Sequence, residues 1–229
     1  MKLFCLPYAG GSRAIYYKWK KKIDSNIQLE PIELKGRGTR YGEGWYSNFE
    51  DAVNDIYLNM KQKIVDDEYA IFGHSMGSLL AFELYYKIIE NGGRVPKHIF
   101  FSGYKAPHCP RTKKQIHTLP NDEFMDEVLK LGGTPIEVVQ NDELCELVTP
   151  ILKNDFRILE LYKYNKKSTP IKCDITILNG NKDTITFEEL NGWKIHSAKN
   201  TRIFTFEGSH FFINNNMDEI INLIENTLF

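Results

Sequence analysis

The stretch 70–81, Ala-Ile-Phe-Gly-His-Ser-Met-Gly-Ser-Leu-Leu-Ala, restricts this chain more than any other. A short apolar run ends in Gly73-His74-Ser75-Met76-Gly77, and a helical apolar pattern starts directly behind it. The order is strand, tight turn, helix. A serine on so sharp a turn takes a strained backbone, and its neighbours two positions either side must be small to let strand and helix approach. The helix N-terminus then directs unpaired N–H groups and a positive dipole end at any negative charge growing beside Ser75. A bland strand-to-helix connection shares the spacing, so the rest of the chain has to supply a base, an acid and an oxyanion hole.

Residues 2–6 read as a buried strand, closed by Pro7-Tyr8-Ala9-Gly10-Gly11-Ser12. Ser12 caps an expected helix with Ile15, Tyr16, Trp19 and Ile23 on one face. A second strand covers 28–34. The glycine-rich basic loop that follows, Lys35-Gly36-Arg37-Gly38-Thr39-Arg40-Tyr41-Gly42, lacks the Walker spacing and reads as a plain loop with solvated arginines. An amphipathic helix is expected over 48–65, a helix from Ser75 to about 90 that stops at Asn91-Gly92-Gly93, and a strand over 98–102. Such alternation predicts an α/β fold with a mostly parallel sheet flanked by helices.

Alternation breaks over 106–169, where the patterns are helical: one helix behind Pro120-Asn121, another over about 141–164 with a kink at Pro150. A block of this kind set before the last two strands reads as a lid over the site. Strand 173–178, helix 187–198, strand 201–206 and a last helix carrying Met217, Ile220, Ile221, Ile224 and Leu228 complete one domain, 1–229.

Bulk properties exclude several classes. A net charge of −1 argues against a nucleic-acid binder. No apolar run approaches the roughly 20 residues that span a bilayer, and the N-terminus is too short and too quickly polar for a secretory signal. Cys5, Cys109, Cys145 and Cys173 form no Cys-x-x-Cys pair, which leaves no metal site in prospect and makes a reducing cytoplasm the natural compartment. The expectation is a cytoplasmic monomer without a cofactor of its own.

In parallel sheets, functional groups gather beyond the carboxyl ends of strands. Those ends carry Tyr8-Ala9, Ser75, Asp183 and His210, and the order Ser, Asp, His is that of an α/β-hydrolase triad. Ser75 needs a base to accept its proton, a role for which histidine is the usual side chain and His210 is the candidate, and Asp183 would fix the imidazole tautomer. Backbone N–H groups of Met76 and of Tyr8 or Ala9 would form the oxyanion hole. The other histidines (His74, His98, His108, His117, His196) read as surface or packing residues. Of the rival acids, Asp174 stands at the wrong end of its strand and Asp155 lies in the insertion.

Further segments carry a resemblance: Cys5-Leu6-Pro7-Tyr8-Ala9-Gly10-Gly11-Ser12, Gly36-Arg37-Gly38, Phe72-Gly73-His74-Ser75-Met76-Gly77, Leu119-Pro120-Asn121-Asp122-Glu123-Phe124, Leu131-Gly132-Gly133-Thr134-Pro135 and Gly208-Ser209-His210-Phe211-Phe212. Spread over nearly the whole length, they make the chain similar to the type II thioesterases that accompany nonribosomal peptide and polyketide synthetases. Lys35 departs from the family's usual proline, and the loop 179–183 carries fewer acids than is common. The resemblance implies an α/β-hydrolase that hydrolyses acyl, aminoacyl or peptidyl groups from the 4′-phosphopantetheine arm of an acyl or peptidyl carrier protein domain, clearing misprimed or stalled synthetases. Met125, Leu129, Leu144, Val148 and Phe156 of the lid are candidates for an acyl pocket, or else pack the lid helices. Arg111, Lys113, Lys114, Lys163, Lys166 and Lys167 are candidates for meeting an acidic carrier surface, or else a solvated face. A carboxylesterase for small esters and a non-catalytic carrier-binding module are the other readings.

Overall fold

The structure is a computed structural model that describes residues 1–110, 114–134, 138 and 140–229. Six parallel strands, β1 (Lys2–Leu6), β2 (Gln28–Pro31), β3 (Tyr69–His74), β4 (His98–Ser102), β5 (Asp174–Gly180) and β6 (Thr201–Phe206), form one sheet in the order β2-β1-β3-β4-β5-β6. The order reverses direction between β1 and β3, so the crevice where ligands gather in such sheets opens there. β3, which ends at the serine, lies beside β1, with Leu6 paired to Gly73.

Side chains alternate across the strands, as a pleated backbone requires. Phe4, Leu6, Ile71, Ile99, Phe101, Ile175 and Ile177 pack with α1 (Phe49–Met60) and α2 (Met76–Glu90) on one face. Leu3, Cys5, Ala70, Phe72, Phe100 and Leu178 pack with Tyr16, Trp19 and the last helix, Met217–Leu228, on the other. The inner strands are therefore apolar on both faces.

Three elements depart from the sequence expectation, each for a local reason. The helix expected after Ser12 is two 3₁₀ turns, Arg13–Tyr16 and Trp19–Lys21. Tyr16 closes the first turn and Trp19 opens the second, and the two rings meet edge-on at 5.3 Å over Phe72. β2 ends at Pro31, which lacks an N–H and is tolerated because β2 is an edge strand. The helix expected over 187–198 stops after one capped turn, Phe187–Asn191, and Gly192 begins a 3₁₀ turn. Between β4 and β5, the described residues include two helices, α3 (Asn121–Lys130) and α4 (Asp142–Glu160), with Pro150 inside α4.

Among the described residues, no helix is long and apolar enough to cross a membrane.

The elbow's glycines are steric necessities. A Cβ at Gly73 would lie 2.1 Å from the Gly77 carbonyl oxygen, and one at Gly77 would lie 2.3 Å from that of Leu6. Alanine is the better helix former by about 1 kcal/mol, but a backbone clash outweighs that. Gly77→Ala is expected to lower the melting temperature by roughly 3–10 °C, measured by thermal denaturation.

Two buried histidines make stability fall in acid. Burial pushes His98 down to about 4, and burial together with neighbouring His108 pushes His196 down to about 4. Both stay neutral in the folded chain at a pH where the unfolded chain, near 6.5, binds protons. Stability is whole above that value and drops as pH falls towards 4, by on the order of 3 kcal/mol per residue. Urea midpoints should fall between pH 7 and 4.5, less steeply in His98→Gln.

Candidate active site

Ser75 has φ 53° and ψ −118°, the positive φ of a non-glycine residue that a nucleophile's turn demands. The turn is braced from β4. Ser75 N–H donates to the Ser102 carbonyl at 2.7 Å. The Ser78 hydroxyl lies 2.8 Å from the carbonyls of both Gly73 and Ser102. His74 points the other way from the cleft, its Nδ1 2.9 Å from Ser102 Oγ, and burial holds its pKa well below the ordinary histidine value. It is a neutral packing residue whose ring supports that of His210 at 5.4 Å.

Asp183 and His210 come from the turns behind β5 and β6. These turns are clasped: Lys182 N–H donates to the Gly208 carbonyl at 2.9 Å, and Gly208 N–H donates to Asn181 Oδ1 at 3.0 Å. Gly180 permits the approach, since a Cβ there would sit 2.3 Å from the Gly208 oxygen. As a result His210 Nδ1 lies 2.8 Å from Asp183 Oδ2, and Nε2 lies 2.9 Å from Ser75 Oγ. A carboxylate only accepts, so Nδ1 carries the proton and the lone pair of the neutral ring faces the Ser75 hydroxyl. The Asp183 side chain is 4% exposed and that of His210 24%, which leaves the imidazole open to the cleft. The other acid Oδ1 accepts from Thr184 N–H at 2.6 Å.

The cleft above Ser75 has a volume of about 270 Å³. Tyr8, Ala9, Gly10 and Gly11 form one wall, and Val148, Leu152 and Phe156 of α4, one face at i, i+4, i+8, form another. Gly133 also lines it, pressed so closely on Phe211 that a Cβ would lie 2.0 Å from that ring. This contact explains a glycine in the insertion: it seats the loop on the residue after His210.

Of the five lid residues proposed from the sequence, Val148 and Phe156 line the cleft. Met125 does not; it is buried with Phe124, Val128 and Leu152 between α3 and α4. Leu129 is half-buried on α3 and does not line the cleft, and Leu144 is 43% exposed on the first turn of α4. The inward stripe of α3 is spent on α4, and Val128 is its contribution to the cleft.

Among the described residues, two of the six basic candidates are engaged in ion pairs. Lys114 is paired with Glu127, and Lys167 donates to Glu83 at 2.6 Å while lying over the Tyr86 ring. Lys163 lines a separate cavity near Phe49, Lys166 is exposed, and Arg111 and Lys113 lie outside the described residues. The rival histidines are engaged as well: His98 with Thr176, His108 with His196, and His117 with Glu160.

One expectation is overturned outright. Arg37 is not solvated: it is 2% exposed and forms a two-pronged ion pair with fully buried Asp155 of α4. Two glycines flanking the arginine were the available signal, because they let a loop turn inwards. The partner, over a hundred residues away, left no trace.

A family model described as a thioesterase domain matches residues 1–228. The chain belongs to the thioesterase family. Among its relatives, LgrE of Brevibacillus parabrevis is 34% identical over 99% of this chain and 87% of its own length. That relative is named a linear gramicidin dehydrogenase, but in this chain Tyr41 stands where a dinucleotide fingerprint beginning at Gly36 needs its third glycine. The crystal structure of ClbQ, from the colibactin NRPS/PKS pathway, superposes with a TM-score of 0.95 at 39% identity, covering 99% of this chain and 96% of that one. BorB, a type II thioesterase from the borrelidin cluster, gives a TM-score of 0.90 at 29% identity, covering 100% and 92%. This thioesterase thus has the α/β-hydrolase fold and is a thioester hydrolase of the type II class.

If the Ser75–His210–Asp183 line is the working triad, Ser75→Ala lowers kcat by on the order of 10⁶ and Asp183→Asn by about 10⁴, with both proteins folded. Steady-state turnover beside circular dichroism checks this. Substantial activity in Ser75→Ala would point to another nucleophile.

Proposed function

We propose that this thioesterase removes acyl, aminoacyl or peptidyl groups from the phosphopantetheine arm of a carrier protein, clearing misprimed or stalled synthetases. The observation that carries the reading is the line Ser75 Oγ to His210 Nε2 at 2.9 Å and His210 Nδ1 to Asp183 at 2.8 Å, set at the floor of an apolar cleft under α3 and α4. The kinship with synthetase-associated thioesterases supplies the carrier-bound substrate.

In this mechanism, Ser75 Oγ attacks the thioester carbonyl carbon while His210 Nε2 takes the hydroxyl proton. Asp183 keeps the ring oriented and stabilises the imidazolium. The oxygen that gains charge meets the N–H of Met76, at the first turn of α2 where helical partners are lacking, and that of Tyr8 or Ala9. The C–S bond then breaks, and His210 returns its proton to the departing sulfur. Water, activated by the same nitrogen, attacks the acyl-enzyme and releases the acid. Helices α3 and α4 act as the lid of a single domain, 1–229, with the insertion at 106–169. A cleft near 270 Å³ is at the small end for ligand sites, which favours a short acyl group over a whole peptide. No metal or cofactor is assigned a step, and the enzyme works as a monomer in the cytoplasm, away from nucleic acid and membranes.

The deciding measurement compares release of acyl groups from a loaded carrier protein with hydrolysis of a simple aryl ester. Carrier turnover is expected to exceed ester turnover in kcat/KM. Brisk ester hydrolysis with an untouched carrier would instead indicate a carboxylesterase, and inactivity on both would indicate a carrier-binding module.

A further inference from the structure

The mechanism needs the N–H of Tyr8 or Ala9 aimed at the oxygen that gains charge beside Ser75, and both residues belong to a glycine-rich turn. The turn closes through Gly11 N–H donating to the Tyr8 carbonyl at 2.9 Å, but with Gly10 at φ 78° and Gly11 behind it, its tilt is set from outside. Contacts from α4 and from Arg37 set it. Asp155 Oδ2 accepts from Gly10 N–H at 2.7 Å. Both carboxylate oxygens accept from the Arg37 guanidinium at 2.6 Å, and Arg37 Nη1 also donates to the Gly11 carbonyl at 3.1 Å. Arg37 Nε reaches back to the Lys35 carbonyl at 3.3 Å. One turn earlier on α4, Leu152 presses on Gly10, where a Cβ would lie 2.4 Å from its methyl group.

We propose that the Arg37–Asp155 pair is a positioning device that sets the oxyanion hole, gripping Gly10 N–H and Gly11 C=O so that the N–H of Tyr8 or Ala9 faces the reacting carbonyl. Neither side chain lines the cleft, so the pair acts through the turn and never on the substrate. The inference rests on Ser75 being the nucleophile.

A merely structural joint does not need charge at this place. Burying two ions costs so much that well-packed apolar residues of similar size usually hold a core as well or better. An apolar pair has no acceptor for Gly10 N–H and no donor for Gly11 C=O, and charge-assisted bonds are the strong, directional ones. Arg37 has a second task. A lone carboxylate beside the hole would repel a growing oxyanion, and the guanidinium cancels it. Burial works against the charge on Arg37, but Asp155 more than offsets this and keeps it protonated.

The test uses 4-nitrophenyl acetate, which reports on the hole without a carrier, with Ser75→Ala as the blank. In Arg37→Met/Asp155→Leu, expected to fold because the pair is replaced by apolar groups, kcat should fall about 10²-fold with KM within about threefold of wild type. Phenylboronic acid, whose tetrahedral anion forms on Ser75, should bind weaker by the same factor that kcat/KM loses. A folded double variant with wild-type kcat, or a loss confined to KM with boronate affinity intact, overturns the proposal. Should the double variant not fold, Arg37→Lys decides, since a compact ammonium keeps the charge but lacks the planar fork that reaches the two Asp155 oxygens from separate nitrogens. A kcat at least about fivefold lower, matched by boronate affinity, supports the proposal, and wild-type kcat in folded Arg37→Lys overturns it. Activity that survives in Ser75→Ala removes the nucleophile assignment and this proposal with it, a failure distinct from the others.

Discussion

A single backbone conformation organises this molecule: Ser75 at φ 53°, held at the end of a central strand. Residues in sparsely populated regions cost on the order of 1–3 kcal/mol and persist only where their surroundings over-determine them. Here the surroundings are identifiable. Gly73 and Gly77 bring β3, α2 and the end of β1 within a distance that a methyl group would forbid. Ser78 and Ser102 satisfy the polar groups that the turn leaves behind, and His74 fills the space beneath. Gly77 presses on the Leu6 and Pro7 carbonyls, so the elbow also fixes where the turn after β1 begins.

Everything else at the site is brought to that serine by loops that have to be held. The turns after β5 and β6 hold one another through Lys182, Asn181 and Gly208, with Gly180 making room. The turn after β1 is held from above by Asp155 and Arg37. The inserted helices therefore do more than roof the cleft. α4 offers Val148, Leu152 and Phe156 to the cleft and, on the half that carries Leu152 and Phe156, the carboxylate that grips Gly10. Past Pro150, that half is tied to the body a second time, through Arg157 and Asn154 to the carbonyls of Ser47 and Tyr46.

Much of the fold was legible in the residues. β1, β4 and β6 fall where expected; for the inner strands β1 and β4 the reason is that parallel strands buried on both faces show up as apolar stretches. Asn48, Asn141 and Thr186 begin their helices as capping side chains. What misled was periodicity without context. Ile15, Tyr16 and Trp19 fit a helical face, but the segment forms two separate 3₁₀ turns that set the Tyr16 and Trp19 rings against Phe72. Met125 and Leu144 fit a pocket as well as a helix–helix contact or a solvated turn, and the way α3 packs on α4 chose among these.

The sequence by itself determined the sheet's alternating order, the strained serine between two obligate glycines, and the succession of Ser75, Asp183 and His210 at strand ends. These follow from local chemistry: strand and helix patterns, a turn only small residues permit, and the rule that loops beyond parallel strands carry the functional groups. Tertiary structure alone decided that Arg37, in what reads as an exposed basic loop, is buried against Asp155, 118 positions along the chain. A long-range ion pair has no periodicity and no spacing, because its partners are joined by the crossing of two chain segments and by nothing along the chain. The same holds for the cleft, whose walls come from the turn after β1, from α3 and α4, and from the turn after β6.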